Sequence, residues 1–181
     1  MSLLTPERVP VKVYKWDDAG APALDRTAGC MLTIFKACLV TGYATKAGAG
    51  WTMPFEDTST GVEVFRPPVT ADTDFYLRCS ADTGQEMAAQ VYLDMTNANT
   101  GDMKLQCDTP FKYGFSGISI KWIVTACSNG FWFFTEGTPD RLSIELRGIF
   151  FYCGNATPVS ATNVPIVLHH TGGFWGMNDS D

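Results

Sequence analysis

Basic side chains and long apolar runs are scarce in this sequence, and each absence excludes a class of partner. Lysine and arginine together number 13 against 19 acidic residues, so the formal net charge is -6. A chain of this charge has no positive field to attract the phosphates of a nucleic acid. The apolar runs, such as residues 148–154, are far shorter than the roughly 20 residues of a membrane-spanning helix. We therefore expect neither nucleic acid nor a membrane as a partner.

Metal ligands and catalytic motifs are also scarce. No two cysteines form a C-x-x-C pair, which argues against a zinc ribbon or a thioredoxin-type site, and we expect most of them to be reduced and buried. His169 and His170 are the sole histidines, and neighbours on a strand point to opposite faces. The chain lacks the G-x-S-x-G, G-x-G-x-x-G and P-loop motifs. No catalytic residue, metal or cofactor is predicted. The cysteines are Cys30, Cys38, Cys79, Cys107, Cys127 and Cys153.

Carboxylates are plentiful, and they leave one enzymatic alternative open. Asp17–Asp18, Glu56–Asp57 and the pair Asp72 and Asp74 lie in predicted loops, where acids commonly accept hydrogen bonds from backbone amides. Two such acids facing each other would suit a glycoside hydrolase. We expect a protein without enzymatic activity and keep the hydrolase as the alternative.

One segment has the spacing of an amphipathic helix. Leu32, Phe35 and Leu39 recur at intervals of three and four residues and define one apolar face. Thr27 is the predicted N-cap, and Gly42 is the predicted left-handed stop. We expect a single packed helix near residues 28–41.

Most of the remaining chain has the pattern of strands. Residues 9–16, 61–66, 74–80, 88–95, 118–137 and 143–154 are rich in β-branched and aromatic side chains and are separated by turn residues. Asn129–Gly130 predicts a hairpin with a type I′ turn. The prediction is an α+β, mostly β fold: a single domain of 181 residues with a twisted antiparallel sheet, sandwich or barrel-like, and a carboxyl-terminal extension over 155–181.

Three stretches carry a resemblance to a known family. They are "VKVYKWDDAGAPALDRTAG", "ACLVTGYATKAGAGWTMPF" followed by "VFR" and "FYLR", and "KWIVTACSNGFWFFTEG" followed by "LRGIFFYCG". Together they resemble a set of virion structural proteins of tailed bacteriophages and prophages, over about residues 10–154. The resemblance transfers no catalytic residue.

The resemblance implies a structural protein of the virion, synthesised in the host cytoplasm. We expect many copies that pack on one another and on capsid, neck or tail proteins. An auxiliary head protein (decoration or minor capsid) or a head-to-tail component is the first expectation. A tail or baseplate protein is an alternative, as is a virion-associated module that binds or hydrolyses glycans.

Two aromatic stretches are the candidate sites. Trp51, Pro54 and Phe55 are predicted to be a structural staple that covers the junction between helix and sheet, or alternatively an exposed anchor for a neighbouring subunit. Near the end of the chain, Phe174, Trp175 and Met177 lie among glycines, and large aromatic side chains are costly to leave in water. We expect residues 171–177 to dock on a neighbouring subunit or another virion protein; the alternative is that they fold back on their own domain.

Overall fold

A computed structural model describes residues 9–70, 73–106, 111–112, 121–135, 149–156 and 164–171. Strands dominate these residues, and one helical segment interrupts them. The elements are β1 (Lys12–Lys15), α1 (Cys30–Phe35), a π-helical turn (Lys36–Thr41), β2 (Thr52–Asp57), β3 (Val62–Arg66), β4 (Tyr76–Ser80), β5 (Glu86–Asn97), β6 (Thr100–Gln106), β7 (Phe111–Lys112), β8 (Trp122–Cys127), β9 (Gly130–Thr135), β10 (Ile149–Ala156) and β11 (Val164–Thr171).

The strands form two antiparallel sheets. The five-stranded sheet has the order β1-β8-β9-β10-β11, and the second sheet has the order β2-β3-β4-β5-β6 with β7 paired to β5. The second sheet curls into a half-barrel. Across it, the Asn99 side-chain amide in the β5–β6 turn donates a hydrogen bond to Asp57 at the end of β2, at 3.2 Å. The predicted mostly β, single-domain fold with antiparallel sheets and one packed helix is confirmed. Part of the predicted extension over 155–181 forms the edge strand β11.

The helical segment lies in the core between the two sheets. Phe35 is fully buried, and its ring lies 6.3 Å from Phe65 of the curled sheet and 5.0 Å from Phe131 of the five-stranded sheet. Leu32 and Leu39 are buried as well, so the predicted apolar face is correct. Met31 and Cys38, which flank these residues on the predicted face, are buried too, and because α1 is enclosed on both sides Ile34 is also buried.

The start of the helix differs from the prediction. Gly29, with φ 85°, is the N-cap, and Thr27 is not. The backbone amides of Met31 and Leu32 donate to the carboxylate of Asp82, at 2.9 and 3.0 Å. The cap is therefore supplied from a distant loop, and Thr27 instead hydrogen-bonds to Asp25.

The helix ends in a wide turn that the following chain fills. The amide of Gly42 donates to the carbonyl of Ala37, five residues earlier, and Gly42 has the predicted positive φ, 76°, although its ψ of 178° lies outside the left-handed helical region. The amides of Gly50 and Trp51 donate to the carbonyl of Leu39, at 3.1 and 3.0 Å. A Cβ at Gly48 would overlap the carbonyl of Val40. The glycine-rich run at residues 46–51 is therefore packed against the helix end.

The β8–β9 hairpin is confirmed, but its turn was predicted one residue too late. Cys127 pairs with Gly130, so Ser128 and Asn129 form the connection. None of these residues has a positive φ, so the predicted type I′ turn is wrong. Gly130 instead allows β9 and β10 to lie close together, because a Cβ on Gly130 would lie 2.8 Å from the Cα of Gly154, its partner on β10.

Candidate functional site

The five-stranded sheet is apolar on both faces. Its inner face holds fully buried aromatic side chains that pack on the helix, as the alternation along each strand requires. Its outer face also carries large apolar side chains, although nothing in the described part of the chain covers them fully. The inner residues include Tyr14, Trp122, Phe131, Phe133 and Phe151. We define the outer face by Val11, Val13, Ile123, Trp132, Phe134 and Tyr152.

Several large apolar side chains of the outer face are exposed. Val13 is 44% exposed, Ile123 40% and Phe134 41%. These three residues belong to three adjacent strands, so they form one continuous patch and are not scattered over the surface. Contiguous apolar patches on soluble proteins mark interaction sites far more often than single exposed residues do.

Three aromatic rings are stacked at the centre of this face. The Trp132 ring lies 4.4 Å from that of Tyr152 and 5.8 Å from that of Phe134, with 10° between the planes of Trp132 and Phe134. A groove of about 310 Å³ runs beside them and is lined by Val11, Thr125, Asn129, Gly130, Trp132 and Tyr152.

The glycine pair of β9 and β10 positions the tyrosine. A Cβ on Gly154 would lie 2.5 Å from the hydroxyl oxygen of Tyr152, so the phenol ring occupies the space that a side chain at Gly154 would need. Burial raises the pKa of the Tyr152 hydroxyl. The ring thus lies directly against the backbone at Gly154.

The outer face carries positive charge at one end. Lys15 pairs with Ile123 at that end, and the Lys121 ammonium lies 5.5 Å from the centre of the Trp16 ring. No carboxylate occupies the outward positions of β1, β8, β9 and β10 among the described residues.

The predicted staple residues lie on both sides of the curled sheet's edge. Trp51 is 3% exposed, its ring meets Phe75 and Phe131 edge to face, and its indole nitrogen donates to the carbonyl of Cys127 at 2.9 Å. Phe55 is half-buried and stacks on Tyr76 in the smaller cluster of the curled sheet. Trp51 therefore joins the helix end to the β8–β9 hairpin.

Pro54 lies on the edge strand β2, between residues where the register with β3 shifts. Pro54 is exposed, and an edge strand tolerates a residue that has no backbone N–H to donate. The second candidate set, Phe174, Trp175 and Met177, lies outside the described residues.

The predicted carboxylate pairs serve separate structural roles. Burial disfavours the ionised form of Asp18, but hydrogen bonds from Lys46 and Tyr43 outweigh it and lower the pKa to about 2. Asp57 accepts hydrogen bonds in its own turn, chiefly from Ser59, and these lower its pKa.

Two more of the predicted acids are ion-paired, and Asp17 is exposed. Asp74 pairs with Arg66 at 2.7 Å, and Glu56 pairs with Lys36 at 3.3 Å. Asp72 lies outside the described residues. The acids are thus spread over separate loops and strand ends.

Three further features bear on function: groups of metal ligands, helices that could span a membrane, and similarity to known proteins. Within the described ranges, no three His, Cys, Asp or Glu side chains are grouped as metal ligands. No helix among those ranges has the length and hydropathy needed to cross a membrane. Comparison with protein-family models, curated proteins and solved structures finds no match.

The outer face was missed by sequence analysis, although the sequence holds its signal. Residues 131–134 read Phe-Trp-Phe-Phe, so both faces of β9 are apolar. A continuous apolar run is typical of a strand that is covered on both sides. The helix covers one side, and Trp132 and Phe134 on the other side are exposed.

Proposed function

We propose that this protein is a non-enzymatic structural component of a tailed-phage virion, and that it acts by packing its outer face against another protein of the particle. The observation that supports the proposal is the contiguous exposed face with Trp132, Phe134 and Tyr152 at its centre. Aromatic residues are enriched where protein interfaces hold most of their binding energy. The family resemblance supplies the virion context.

Within the particle, we propose an auxiliary head protein (decoration or minor capsid) or a head-to-tail component, present in many copies. A tail or baseplate protein is the alternative position. The sheet is compact, and the sequence has neither repeats nor a heptad pattern, as a fibre would.

The test is incorporation into particles. Phages carrying Trp132→Ser should contain markedly fewer copies per particle than the parent, because the variant removes the centre of the interface while leaving the inner core intact. Val69→Ser is the matched control, since Val69 is 56% exposed and lies in the curled sheet's part of the chain. Equal copy numbers of both variants and the parent would contradict the proposal, provided that both variants melt at the parent's temperature.

A glycan-binding module is the second candidate function. The groove combines a ring platform, Trp132 and Tyr152, with the Asn129 amide and Thr125 hydroxyl, and stacked aromatic rings favour the apolar faces of sugars. Calorimetric titration with host-surface polysaccharide fragments tests it. Saturable heat that Trp132→Ser abolishes would favour glycan binding; no heat at millimolar sugar would count against it.

A further inference from the structure

We infer that the free edge of β1 is a latent site for pairing with a second copy of this chain, and that Asp18 and Lys46 keep it closed. The inference does not rest on the proposed function, because it concerns the edge of the five-stranded sheet and not the protein that covers the outer face. It rests on the direction in which the backbone groups of β1 point and on the groups that already bind them.

β1 is an edge strand, and two of its residues direct their backbone groups away from the sheet. In the described part of the chain, β1 pairs with β8 alone. The Trp16 amide donates to the Trp122 carbonyl, and the hydrogen bonds of an antiparallel pair involve every second residue. Tyr14 therefore bonds to β8, whereas the amides and carbonyls of Val13 and Lys15 face the open edge. Such groups are a template on which another strand can pair.

Asp18 and Lys46 occupy three of these four backbone groups. The Lys46 ammonium donates to the Val13 carbonyl at 3.0 Å, and the Lys15 amide donates to the Asp18 carboxylate at 2.7 Å. The Asp18 amide donates to the Lys15 carbonyl at 3.1 Å. The Lys46 ammonium also donates to the Asp18 carboxylate, at 2.5 Å. The two residues thus form a cover over the edge.

The cover is held in place by the turn that follows the helix. The Tyr43 amide donates to the Lys46 carbonyl and the Lys46 amide to the Tyr43 carbonyl, both at 2.9 Å. The Tyr43 hydroxyl donates to the Asp18 carboxylate at 2.7 Å. An ion pair that is fixed in this way and bonded to the backbone of an edge strand excludes a second strand from that edge.

The edge is self-complementary once the cover is removed. When Val13 of one copy lies opposite Val13 of another in an antiparallel pair, each amide meets the other carbonyl across a two-fold axis. Lys15 then lies opposite Val11 of the other copy, so no like charges face each other directly. Val11 and Val13 are both exposed, and β-branched residues favour pairing of this kind. The pairing would place the two outer faces on one side of a single continuous sheet.

Removing the cover tests the inference. The double variant Asp18→Ala and Lys46→Met should form species of twice the parent's mass in sedimentation velocity, at concentrations where the parent's mass is constant. Arg66→Met with Asp74→Ala is the matched control and should keep the parent's mass, because Arg66 lies on β3, which has a strand on each side. A folded double variant of parental mass would overturn the inference.

Proline at position 13 identifies the interface. The Val13 amide points away from β8, so Val13→Pro removes a donor of the edge and no bond to β8. Added to the double variant, Val13→Pro should restore the parental mass. Trp132→Ser, on the outer face, should leave the doubled mass unchanged. A doubled mass that persists with Val13→Pro, or that Trp132→Ser abolishes, would show that the contact is not made by the β1 edge and would overturn the inference.

Lys46→Met alone provides the test if the double variant does not fold. It frees the Val13 carbonyl and leaves the Asp18 bonds to Tyr43 and Lys15 in place. Its mass should rise toward that of the dimer as the protein concentration increases, because the edge is then only partly covered. In that case, a mass equal to the parent's at every concentration would overturn the inference.

Discussion

Replacing Glu63 with glutamine should remove a pH dependence of stability that the structure assigns to this carboxyl group. Glu63 lies on β3, its side chain is 14% exposed, and its Oε2 is buried without a hydrogen-bond partner among the described residues. Lys36 is 3.9 Å from its other oxygen but closer to Glu56, at 3.3 Å. The charged form of Glu63 is therefore poorly compensated.

Burial raises the pKa of Glu63 from 4.5 to about 7; Lys36 opposes this rise, and Glu56 and Asp82 add to it. The pKa of Glu63 is thus higher in the folded state than in the unfolded chain. At pH values between the two, the folded protein binds this proton more strongly than the unfolded chain does. Stability from this group is present in full below about pH 4.5 and is lost as the pH rises through 7. At about 1.4 kcal/mol for each pH unit, the loss amounts to about 3 kcal/mol.

The assay is urea denaturation of the parent and of Glu63→Gln at several values between pH 4 and pH 8. Glutamine has the same shape and no charge, so the variant should match the parent at pH 4 and exceed its stability at pH 8. Asp17→Asn is the control, because Asp17 is exposed and is not among the charged groups that shift the pKa of Glu63, and its pH profile should stay close to the parent's. Parallel profiles of the parent and Glu63→Gln, or a variant less stable at pH 8, would refute the reasoning.

Three further substitutions test the packing. Phe35→Ala should lower the free energy of unfolding by about 3 kcal/mol or more, because the ring is fully buried between the sheets. Thr33→Ala, on the exposed side of α1, is the control and should change it little. A melting temperature of Phe35→Ala within a degree of the parent's would show that the helix is not part of the core. Gly130→Ala should cost about 1–3 kcal/mol in urea denaturation, because its Cβ would meet the Gly154 backbone; parental stability would show that the two strands are farther apart. Asp82→Ala should cost about 1 kcal/mol or more by losing the cap of α1, measurable by thermal unfolding, and an unchanged midpoint would mean that water replaces the carboxylate.

Local periodicity was sufficient to predict the helix and the strands β1, β3, β4, β5, β8, β9 and most of β10, whereas β2, β6, β7 and β11 were not predicted. The spacing of Leu32, Phe35 and Leu39 identified the buried face of the helix, and alternation identified the strands around it. Both signals arise within one element, because the side-chain period of a helix or strand is fixed by its own backbone. The α+β, mostly β fold class could therefore be predicted from the sequence.

Features that depend on distant residues could not be predicted in this way. The helix cap comes from Asp82, about fifty positions after the amides it accepts from. Gly130 has the appearance of a turn glycine, but its role is set by Gly154 on the neighbouring strand. Trp51 donates its indole proton to Cys127, 76 positions away. Each of these contacts requires knowledge of which strands are neighbours.

The candidate site could likewise be predicted only in part from the sequence. The aromatic run of β9 indicates two apolar faces, but only the sheet order reveals that Val13, Ile123 and Phe134 extend one of them into a patch. The sequence drew attention to Trp51, which the structure places in the core. The exposed surface is instead formed by a few residues from each of several strands.

The central claim is that the outer face of the five-stranded sheet is an assembly surface of a virion. A reconstruction of particles produced from the genome that encodes this chain tests it most directly. The account predicts many symmetry-related copies in the particle, each with Trp132, Phe134 and Tyr152 covered by another protein. Particles without the chain, or copies whose outer face is open to solvent, would contradict it.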